Sequence, residues 1–253
     1  MERYICENVF VPLRSGPTHK SEMMSQVLFG EKYEIADRSG GWLKIKTVFD
    51  NCLGWIDISH IESSADKGIS ESRVLNKSLS CYRKDKTKMV LEAGCEIYEP
   101  DFEAGRFSVG GNEYRTSGDF SINHVSSSDT IPDIAMKFIN CPYIWGGRIP
   151  SGIDCSGLTQ LVFKIHSISV SRDVAAQAEE GTNVDFIEET RPGDLAFFDD
   201  ERGRITHVGI IISRGLIIHA SGRVRIDRVD HQGIYKNEIR GYSHNLRTIR
   251  RIA

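Results

Sequence analysis

The chain lacks a long hydrophobic run, since no stretch of its 253 residues approaches the roughly 20 apolar residues that cross a bilayer. It also lacks an excess of one charge, because 32 basic and 35 acidic residues leave a net charge of −3. We therefore expect neither nucleic acid nor a membrane as a partner. No apolar secretory segment opens the sequence, which favours a cytoplasmic location, or a periplasmic or secreted one if a leader has been removed.

Cysteine is neither frequent nor closely paired in this sequence. No C-x-x-C motif is present, and the cysteines lie far apart, at Cys6, Cys52, Cys81, Cys95, Cys141 and Cys155. This spacing argues against a zinc site, so we predict no bound metal and no organic cofactor. Scattered thiols without a dense disulfide framework are typical of a reducing compartment, in agreement with a cytoplasmic location.

The length and the front half of the chain predict several small domains. A chain of 253 residues exceeds the usual size of one domain, so two or three units are expected. Residues 1–62 contain short alternating segments at 30–35, 41–46 and 54–56, which predict a small β-barrel. Residues 75–125 repeat this style in a weaker form and predict a second barrel. The polar run 126–129 is predicted to cap a helix that continues to Phe138.

A Gly- and Pro-rich segment at 141–154 leads directly into the most informative position, Cys155. Apolar residues follow at helical spacing, at Leu158, Leu161, Val162 and Ile165. The pattern predicts an amphipathic helix with Cys155 in its first turn. The N–H groups and the dipole at such a terminus stabilise a thiolate, so the position suits a nucleophile.

A nucleophilic thiol needs a base, and two histidines lie on predicted strands further along the chain. His207 opens an apolar, β-branched run, and His219 lies in the strand that follows a turn at 213–215. In a hairpin, these strands bring the two histidines opposite each other or one diagonal step apart. Their even spacing allows them to share one face of the sheet.

Each of these residues has an ordinary structural explanation when it is taken alone. A cysteine in an apolar helix is more often a small buried hydrophobe, and a histidine at a strand end is usually a hydrogen-bonded, partly buried side chain. A structural core does not need all three in this order behind a Gly/Pro-rich turn. Together they favour nucleophilic catalysis by Cys155.

Several segments in the second half resemble the catalytic domain of the NlpC superfamily, bacterial cell-wall cysteine peptidases with a papain-like core. The segments are Tyr143–Gly147, Asp154–Gly157, Arg191–Leu195, His207–Ile210 and Ile218–Ala220. The pattern is most similar to γ-D-glutamyl-L-diamino-acid peptidases of the dipeptidyl-peptidase VI type. The resemblance implies an α+β fold with an NlpC-type domain at 126–253, preceded by two SH3-like barrels at 1–62 and 75–125.

The resemblance also implies roles for individual residues. Cys155 would be the nucleophile, His207 the general base and later the acid, and His219 the side chain that orients His207. The N–H of Cys155 and the hydroxyl of Tyr143 would bind the oxyanion of the tetrahedral intermediate.

The residues implied for substrate binding lie in both parts of the chain. They are Asp154, Ser156 and Asp173 in the second half and Glu22 in the first barrel, and they would face the free amino end of the substrate. Cys52 stands where related enzymes commonly carry a tyrosine that helps to close the end of the groove. Cysteine reproduces neither the aromatic wall nor the phenolic hydrogen bond of that tyrosine.

The sequence thus predicts a monomeric cysteine peptidase that cuts peptidoglycan stem peptides. The expected bond joins γ-D-glutamate to diaminopimelate or lysine, in muropeptides with a free N-terminal L-alanine. Another acyl-transfer activity on the same core, such as an amidase or a transpeptidase, is an alternative. A second alternative is a wall-binding module with an inert core.

Overall fold

Antiparallel strands make up most of the protein. The computed structural model describes residues 2–68, 72–118, 120 and 129–252, and the chain divides into two units, Met1–Ser126 and Ser127–Ala253. Among the described residues, no helix is long and apolar enough to cross a membrane.

A seven-stranded sheet in the order β3-β2-β6-β5-β4-β1-β7 begins the first unit. Its strands are β1 Arg3–Cys6, β2 Phe10–Arg14, β3 Met23–Leu28, β4 Lys32–Ser39, β5 Trp42–Thr47, β6 Leu53–Asp57 and β7 Ser63–Ala65. The predicted strands at 30–35, 41–46 and 54–56 are confirmed as β4, β5 and β6. Gly40 and Gly41 both adopt positive φ, the backbone that a two-residue hairpin turn requires between β4 and β5.

The alternation of buried and exposed side chains along the strands explains the core of this sheet. In β5, Leu43, Ile45 and Thr47 are buried, whereas the lysines between them are not. The buried side chains that pack together are Cys6, Val11, Leu13, Val27, Tyr33, Leu43, Ile45 and Ile56.

A six-stranded sheet in the order β10-β9-β13-β12-β11-β8 completes the first unit. Its strands are β8 Ser72–Val74, β9 Leu79–Arg83, β10 Lys88–Leu91, β11 Glu96–Asp101, β12 Arg106–Val109 and β13 Asn112–Thr116. The two sheets are joined by aromatic packing, with Phe29 edge-on to Tyr114 at 5.2 Å between ring centroids. The amide N–H of Glu96 also donates to the carbonyl oxygen of Phe29 at 2.8 Å.

The second unit opens with three helices and a short hairpin. They are α1 Ile131–Met136, β14 Arg148–Ile149, β15 Gly152–Ile153, α2 Cys155–Ile165 and α3 Val174–Gln177. The predicted cap of α1 was placed too early, because Thr130 is the N-cap and forms a capping box with Asp133. Residues 126–128 of the predicted cap lie outside the described residues, and α1 ends before Phe138.

The remaining strands of the second unit form one sheet in the order β16-β22-β17-β18-β19-β20-β21. They are β16 Thr182–Asn183, β17 Leu195–Asp199, β18 Ile205–Ser213, β19 Leu216–Ser221, β20 Arg223–Val229, β21 Gly233–Lys236 and β22 Gly241–Arg251. A 3₁₀ helix, Ile187–Glu189, lies between β16 and β17. Because β21 also pairs with β22, the six strands β17–β22 close into a barrel.

The inside of this barrel positions the two histidines singled out in the sequence. Its core contains Val184, Ala196, Phe198, Ile211, Ile217, Val229, Ile234 and Ile249. By strand alternation, His207 lies on the face of Ile211, and His219 lies on the face of Ile217. In the β18–β19 pair Gly209 is opposite His219, so His207 and His219 are one diagonal step apart, which confirms one of the two predicted arrangements.

Gly209 is required by that arrangement. A Cβ atom at this position would lie 2.7 Å from Ile217 Cδ1 and 2.9 Å from His219 Cβ. Only a residue without a side chain lets His219 lean over β18 towards His207.

Candidate active site

Cys155 is the first residue of α2, as the apolar spacing predicted. The helix begins there because Asp154 is its N-cap: Asp154 has extended backbone, and its Oδ1 accepts a hydrogen bond from the N–H of Gly157 at 2.7 Å. The backbone amides of the first turn and the positive end of the helix dipole therefore surround the sulfur.

The electrostatics of the Cys155 thiol differ from the expectation of a stabilised thiolate. Burial and the negative charge of Asp154 raise the pKa of Cys155 to about 12, although backbone hydrogen bonds from Val208 and Ser156 lower it. Only 5% of Cys155 is exposed, so desolvation outweighs the helix terminus. The resting sulfur is a neutral thiol that requires a base.

The backbone contact with Val208 also locates that base. Val208 follows His207 on β18, and the Cys155 sulfur lies within hydrogen-bonding distance of the Val208 backbone. The helix therefore holds the thiol against β18, beside the residue predicted to take its proton.

His207 begins a chain of buried polar contacts across three strands. Its Nε2 lies 2.8 Å from Nδ1 of His219, and Nε2 of His219 lies 2.9 Å from Oδ2 of Asp227. Asp227 is on β20, where it is bonded on its other side by Arg225 Nη2 at 2.8 Å. Arg225 in turn donates to Glu238 at 2.6 Å.

These contacts fix the tautomers of both histidines. Burial opposes ionisation of Asp227, but the hydrogen bonds from His219 and Arg225 outweigh it and lower the pKa, so Asp227 is a carboxylate. A carboxylate accepts, so His219 donates from Nε2 and its Nδ1 is an acceptor when the ring is neutral. His207 then donates from Nε2, which leaves Nδ1 of His207 as the lone pair that can receive the thiol proton.

Both imidazoles are neutral at rest. Burial, together with neighbouring His219 and His244, lowers the pKa of His207 well below its ordinary value. Burial also lowers the pKa of His219, although the hydrogen bond to Asp227 opposes that shift. At rest, the site therefore contains a neutral thiol and a neutral imidazole instead of a preformed thiolate–imidazolium ion pair.

His244 is a third histidine at this site. It lies on β22 and stacks on His207 with ring centroids 4.2 Å apart and 23° between the planes. Its Nδ1 is 2.8 Å from the hydroxyl of Ser243. Burial, together with the neighbouring His219 and Lys236, lowers the pKa of His244 to about 4. A neutral ring therefore covers one face of the base.

Asp154 and Ser156, two of the predicted substrate-binding residues, are buried in one polar network. Arg172 donates to Oδ2 of Asp154 at 2.5 Å and to the hydroxyl of Ser156 at 2.7 Å. Asp154 Oδ2 also accepts from the N–H of Gly146 at 2.8 Å. The network joins α2 to the loop that precedes it, and the predicted contacts with a substrate stay a prediction.

The other predicted residues lie in three different places. Tyr143 is half-buried, and burial together with the charges of Cys155 and Asp154 raises its pKa to about 12, so its hydroxyl is a hydrogen-bond donor near the thiol. Asp173 is the N-cap of α3 and accepts from the amides of Ala175 and Ala176, both at 3.0 Å. Glu22 belongs to the first unit, at the end of the loop between β2 and β3.

Sequence reasoning missed Asp227 and His244. Asp227 could have been found, since it follows His219 at an even spacing on the next strand and is opposite Ile217, again one diagonal step away. His244 carried no such signal, because its position depends on β22 pairing with β21 and on register shifts in that strand.

One group of side chains among the described residues could hold a metal ion, and it is not in the second unit. It consists of His19, Asp57 and His60 in the first unit.

Comparison with known proteins agrees with this geometry. Residues 140–242 match the NlpC/P60 family, and residues 13–61 match the bacterial dipeptidyl-peptidase Sh3 domain. Two γ-D-glutamyl-L-lysine dipeptidyl-peptidases, from Bacillus cereus and Bacillus subtilis, are each 26% identical to the chain. They align over 80% and 82% of this chain and over 68% and 75% of their own lengths. The probable endopeptidase p60 of Listeria grayi is 41% identical over 39% of this chain and 19% of its own length.

Solved structures of similar fold include two that span most of the chain. An NlpC/P60 family protein from Bacillus cereus has a TM-score of 0.79 at 19% identity and covers 99% of both chains. An NlpC/P60 endopeptidase from Photobacterium damselae subsp. piscicida has a TM-score of 0.70 at 17% identity, over 97% of this chain and 70% of that one. At these identities the likeness concerns the fold. The chain therefore carries a domain of the NlpC/P60 family at residues 140–242, preceded by a bacterial dipeptidyl-peptidase Sh3 domain at residues 13–61.

Proposed function

We propose that this protein is a cysteine peptidase that hydrolyses the γ-D-glutamyl–diamino acid bond of peptidoglycan stem peptides with a free N-terminal L-alanine. The observation that carries the proposal is the buried chain His207–His219–Asp227, which ends beside the thiol at the start of α2. A chain of this kind gives a nucleophile, a base and an oriented base, the three parts that acyl transfer by a thiol requires.

The chemistry follows from the neutral resting pair. As the sulfur of Cys155 attacks the γ-carbonyl carbon, its proton passes to Nδ1 of His207, and the imidazolium that forms is stabilised through His219 by Asp227. The tetrahedral intermediate collapses when His207 returns that proton to the nitrogen of the diamino acid, which leaves. Water then loses a proton to His207, attacks the thioester, and releases the dipeptide and the thiol.

The oxyanion needs donors that are already in place. The N–H of Cys155 lies in the first turn of α2, where no helical carbonyl partners it. The hydroxyl of Tyr143 is a second donor, since its raised pKa keeps it protonated. Removing one donor of this type typically costs about 100-fold or more in kcat.

The substrate class rests on the relatives that carry the γ-D-glutamyl-L-lysine dipeptidyl-peptidase name and on the acidic groups near the nucleophile. Asp154 and Asp173 would face the ammonium of L-alanine, with Ser156 beside them. The charge of Asp154 is already shared with Arg172, so an ammonium would join an existing ion pair.

The proposal extends to the fold and the location of the enzyme. The α2 helix against a closed barrel, with the thiol on the helix and the histidines on the strands, supports a papain-like core. The six-stranded sheet of residues 72–116 supports a second SH3-like barrel. Action on released muropeptides in the cytoplasm accords with the scattered thiols, none of which forms a disulfide.

The direct test is mass spectrometry of L-Ala-γ-D-Glu-L-Lys and its diaminopimelate counterpart after incubation with the protein. We expect the dipeptide L-Ala-γ-D-Glu and the free diamino acid, and no product with the Cys155→Ala variant. Cys81→Ala, a buried cysteine in the first unit, is the matched control and should retain activity.

Other products would contradict the proposal. With a muramyl tripeptide as substrate, cleavage between muramic acid and L-alanine would identify an amidase. Ligation of the tripeptide to an added amine would identify a transpeptidase. Binding of the peptide without any product would identify a wall-binding module.

Recognition of the free amine has its own test. A charge-assisted hydrogen bond contributes about 1.5–3 kcal/mol, so acetylating the L-alanine nitrogen should lower kcat/KM by about tenfold or more. Matched kinetics on the free and N-acetylated tripeptides measure this. Equal rates would indicate an endopeptidase with an open groove.

A further inference from the structure

A second cluster of chemically capable side chains lies in the first unit and plays no part in the mechanism above. His19 lies in the loop between β2 and β3, Asp57 is the last residue of β6, and His60 ends the 3₁₀ helix Ile58–His60. One imidazole nitrogen from each histidine and one carboxylate oxygen all lie within 4.8 Å of one another. Nε2 of His19 is 3.0 Å from Oδ2 of Asp57.

The oxygen of Asp57 that does not contact His19 accepts hydrogen bonds that fix the orientation of the carboxylate. Oδ1 of Asp57 accepts from the N–H of Ser59 at 2.8 Å and from the Ser59 hydroxyl at 2.7 Å. Metal-binding carboxylates are commonly oriented in this way by hydrogen bonds to the oxygen that faces away from the ion.

The ring of His19 is held as well. It packs edge-on against Trp42, with centroids 5.0 Å apart, and lies 5.2 Å from the ring of His60. Trp42 is paired with Asp57 across β5 and β6, so the same strand pair positions the carboxylate and supports the imidazole.

We propose that His19, Asp57 and His60 bind a divalent transition-metal ion of the zinc type. Two imidazoles and one carboxylate are a ligand set that such ions accept, with bonds of about 2.0–2.2 Å. Ligand atoms at tetrahedral positions on such an ion are about 3.3 Å apart, close to the 3.0 Å between His19 and Asp57. Both histidines are exposed, so the side chain of His60 has room to rotate until its nitrogen reaches the ion. Water would then occupy the fourth coordination position.

A simple ion pair does not account for the cluster. An ion pair explains the contact between His19 and Asp57 but does not require the imidazole of His60 on the same side of the carboxylate. A bound ion requires all three. It would also join the β2–β3 loop to the end of β6.

The test is isothermal titration of the full chain with ZnCl₂, on a Cys155→Ala background that removes the active-site thiol as a competing ligand. We expect one ion per chain. His19→Ala and His60→Ala should each weaken the affinity by about tenfold or more, because each removes one of three ligands. His231→Ala, an exposed histidine of the second unit, should leave the affinity unchanged.

Two further measurements keep the result decisive. Circular dichroism melts without metal should give the same Tm for His19→Ala, His60→Ala and the parent, and added Zn²⁺ should raise the Tm of the parent alone. Loss of binding in His207→Ala but not in His19→Ala would place the ion at the active-site histidines and overturn the proposal. Unchanged affinity in His19→Ala and His60→Ala, or no binding by the parent at about millimolar Zn²⁺, would also overturn it.

Discussion

Glu7 in the first unit and Asp227 in the second are both buried carboxylates surrounded by hydrogen-bond donors, and they differ in what those donors contact next. Glu7 of the first unit accepts from the hydroxyl of Tyr114 at 2.7 Å, from Asn112 at 2.8 Å and from Arg83 at 3.3 Å. Asp227 of the second unit accepts from His219 and Arg225. In the first unit the contacts join two sheets, whereas in the second they lead to a histidine beside a thiol.

The polar network around Glu7 stabilises the structure, whereas the network around Asp227 can transfer a proton. The phenol, amide and guanidinium around Glu7 keep their protons throughout the neutral range, so they fix geometry alone. The imidazole of His219 can gain a proton at Nδ1 while it donates from Nε2. A change in the protonation of His207 is therefore transmitted through His219 to Asp227. Burial and hydrogen bonding are alike in both places, and only the chemistry of the partner makes one of them catalytic.

Removing the base should have the largest effect on activity. His207→Ala leaves the Cys155 thiol without a proton acceptor, so kcat should fall by about 10⁴-fold or more. The control is His231→Ala, on an exposed histidine that should leave kcat unchanged. Peptide hydrolysis followed by mass spectrometry measures both. Full activity in His207→Ala would remove this histidine from the mechanism.

Asp227→Asn should break the second network while leaving its shape intact. The amide can donate to His219, which allows the wrong tautomers of both imidazoles. We expect kcat to fall by less than the ~10⁴-fold that this change costs where the carboxylate contacts the base directly. The loss should be smaller than for His207→Ala, because Asp227 acts through His219. Asp185→Asn, on an exposed aspartate of the same unit, is the control. A loss confined to KM would contradict a role in orienting the base.

Glu7→Gln should break the first network without touching activity. Burial opposes ionisation of Glu7, but hydrogen bonds from Tyr114, Asn112 and Arg83 lower its pKa in the folded protein. Its stabilising contribution is therefore present at pH 7 and is lost as the pH falls through that lowered pKa. We expect Glu7→Gln to lower the free energy of unfolding by about 2 kcal/mol at pH 7, with kcat/KM unchanged.

Urea denaturation of wild type and Glu7→Gln at pH 7 and at pH 3 checks this prediction. The difference between the two proteins should be smaller at pH 3 than at pH 7, because the pH has moved towards the lowered pKa of the wild-type carboxylate. A loss of activity in a Glu7→Gln protein that is still folded would mean that this network is not purely structural.

The smallest effect is expected from His244→Phe, which keeps a stacked ring on His207 but removes a titrating group. The folded pKa of His244, about 4, lies below its unfolded value of 6.5, so the unfolded chain binds the extra proton between those values. Stability therefore falls as the pH decreases from 6.5 to 4. His244→Phe should reduce that slope by about 1.4 kcal/mol per pH unit, while kcat at pH 7 changes by only a few-fold.

Denaturation at pH 4.5, 5.5 and 6.5 measures the slope for wild type and His244→Phe. His231→Phe is the control, because an exposed histidine should leave the slope as it is. Identical slopes in wild type and His244→Phe would mean that His244 is not held neutral in the folded protein.

Short sequence patterns were sufficient to predict the features of this protein that depend on residues close together in the chain. The apolar spacing after Cys155 predicted α2, and a hairpin left two arrangements for His207 and His219, opposite or one diagonal step apart, of which the diagonal one is observed. Both depend on the geometry of one helix or one hairpin. The effect of burial on the thiol could not be predicted in the same way, because it depends on α2 lying against β18.

Residues that meet through distant pairing were missed. His244 reaches His207 only because β22 pairs with both β17 and β21. His19 and His60 are 41 positions apart in the sequence, and no spacing rule for metal ligands joins them. The cysteine spacing therefore predicted no metal site, whereas the fold of the first unit places two imidazoles beside one carboxylate.

Closure of the β17–β22 barrel by β22 has a consequence for when the enzyme becomes active. The site takes Cys155, His207 and His219 from segments that precede β22 in the chain, and the strand that closes the barrel and covers His207 is Gly241–Arg251. Because β22 follows β17–β21 in the chain, the nucleophile and its base are synthesised before the strand that encloses them. We therefore expect hydrolytic activity to require the insertion of β22 between β17 and β21.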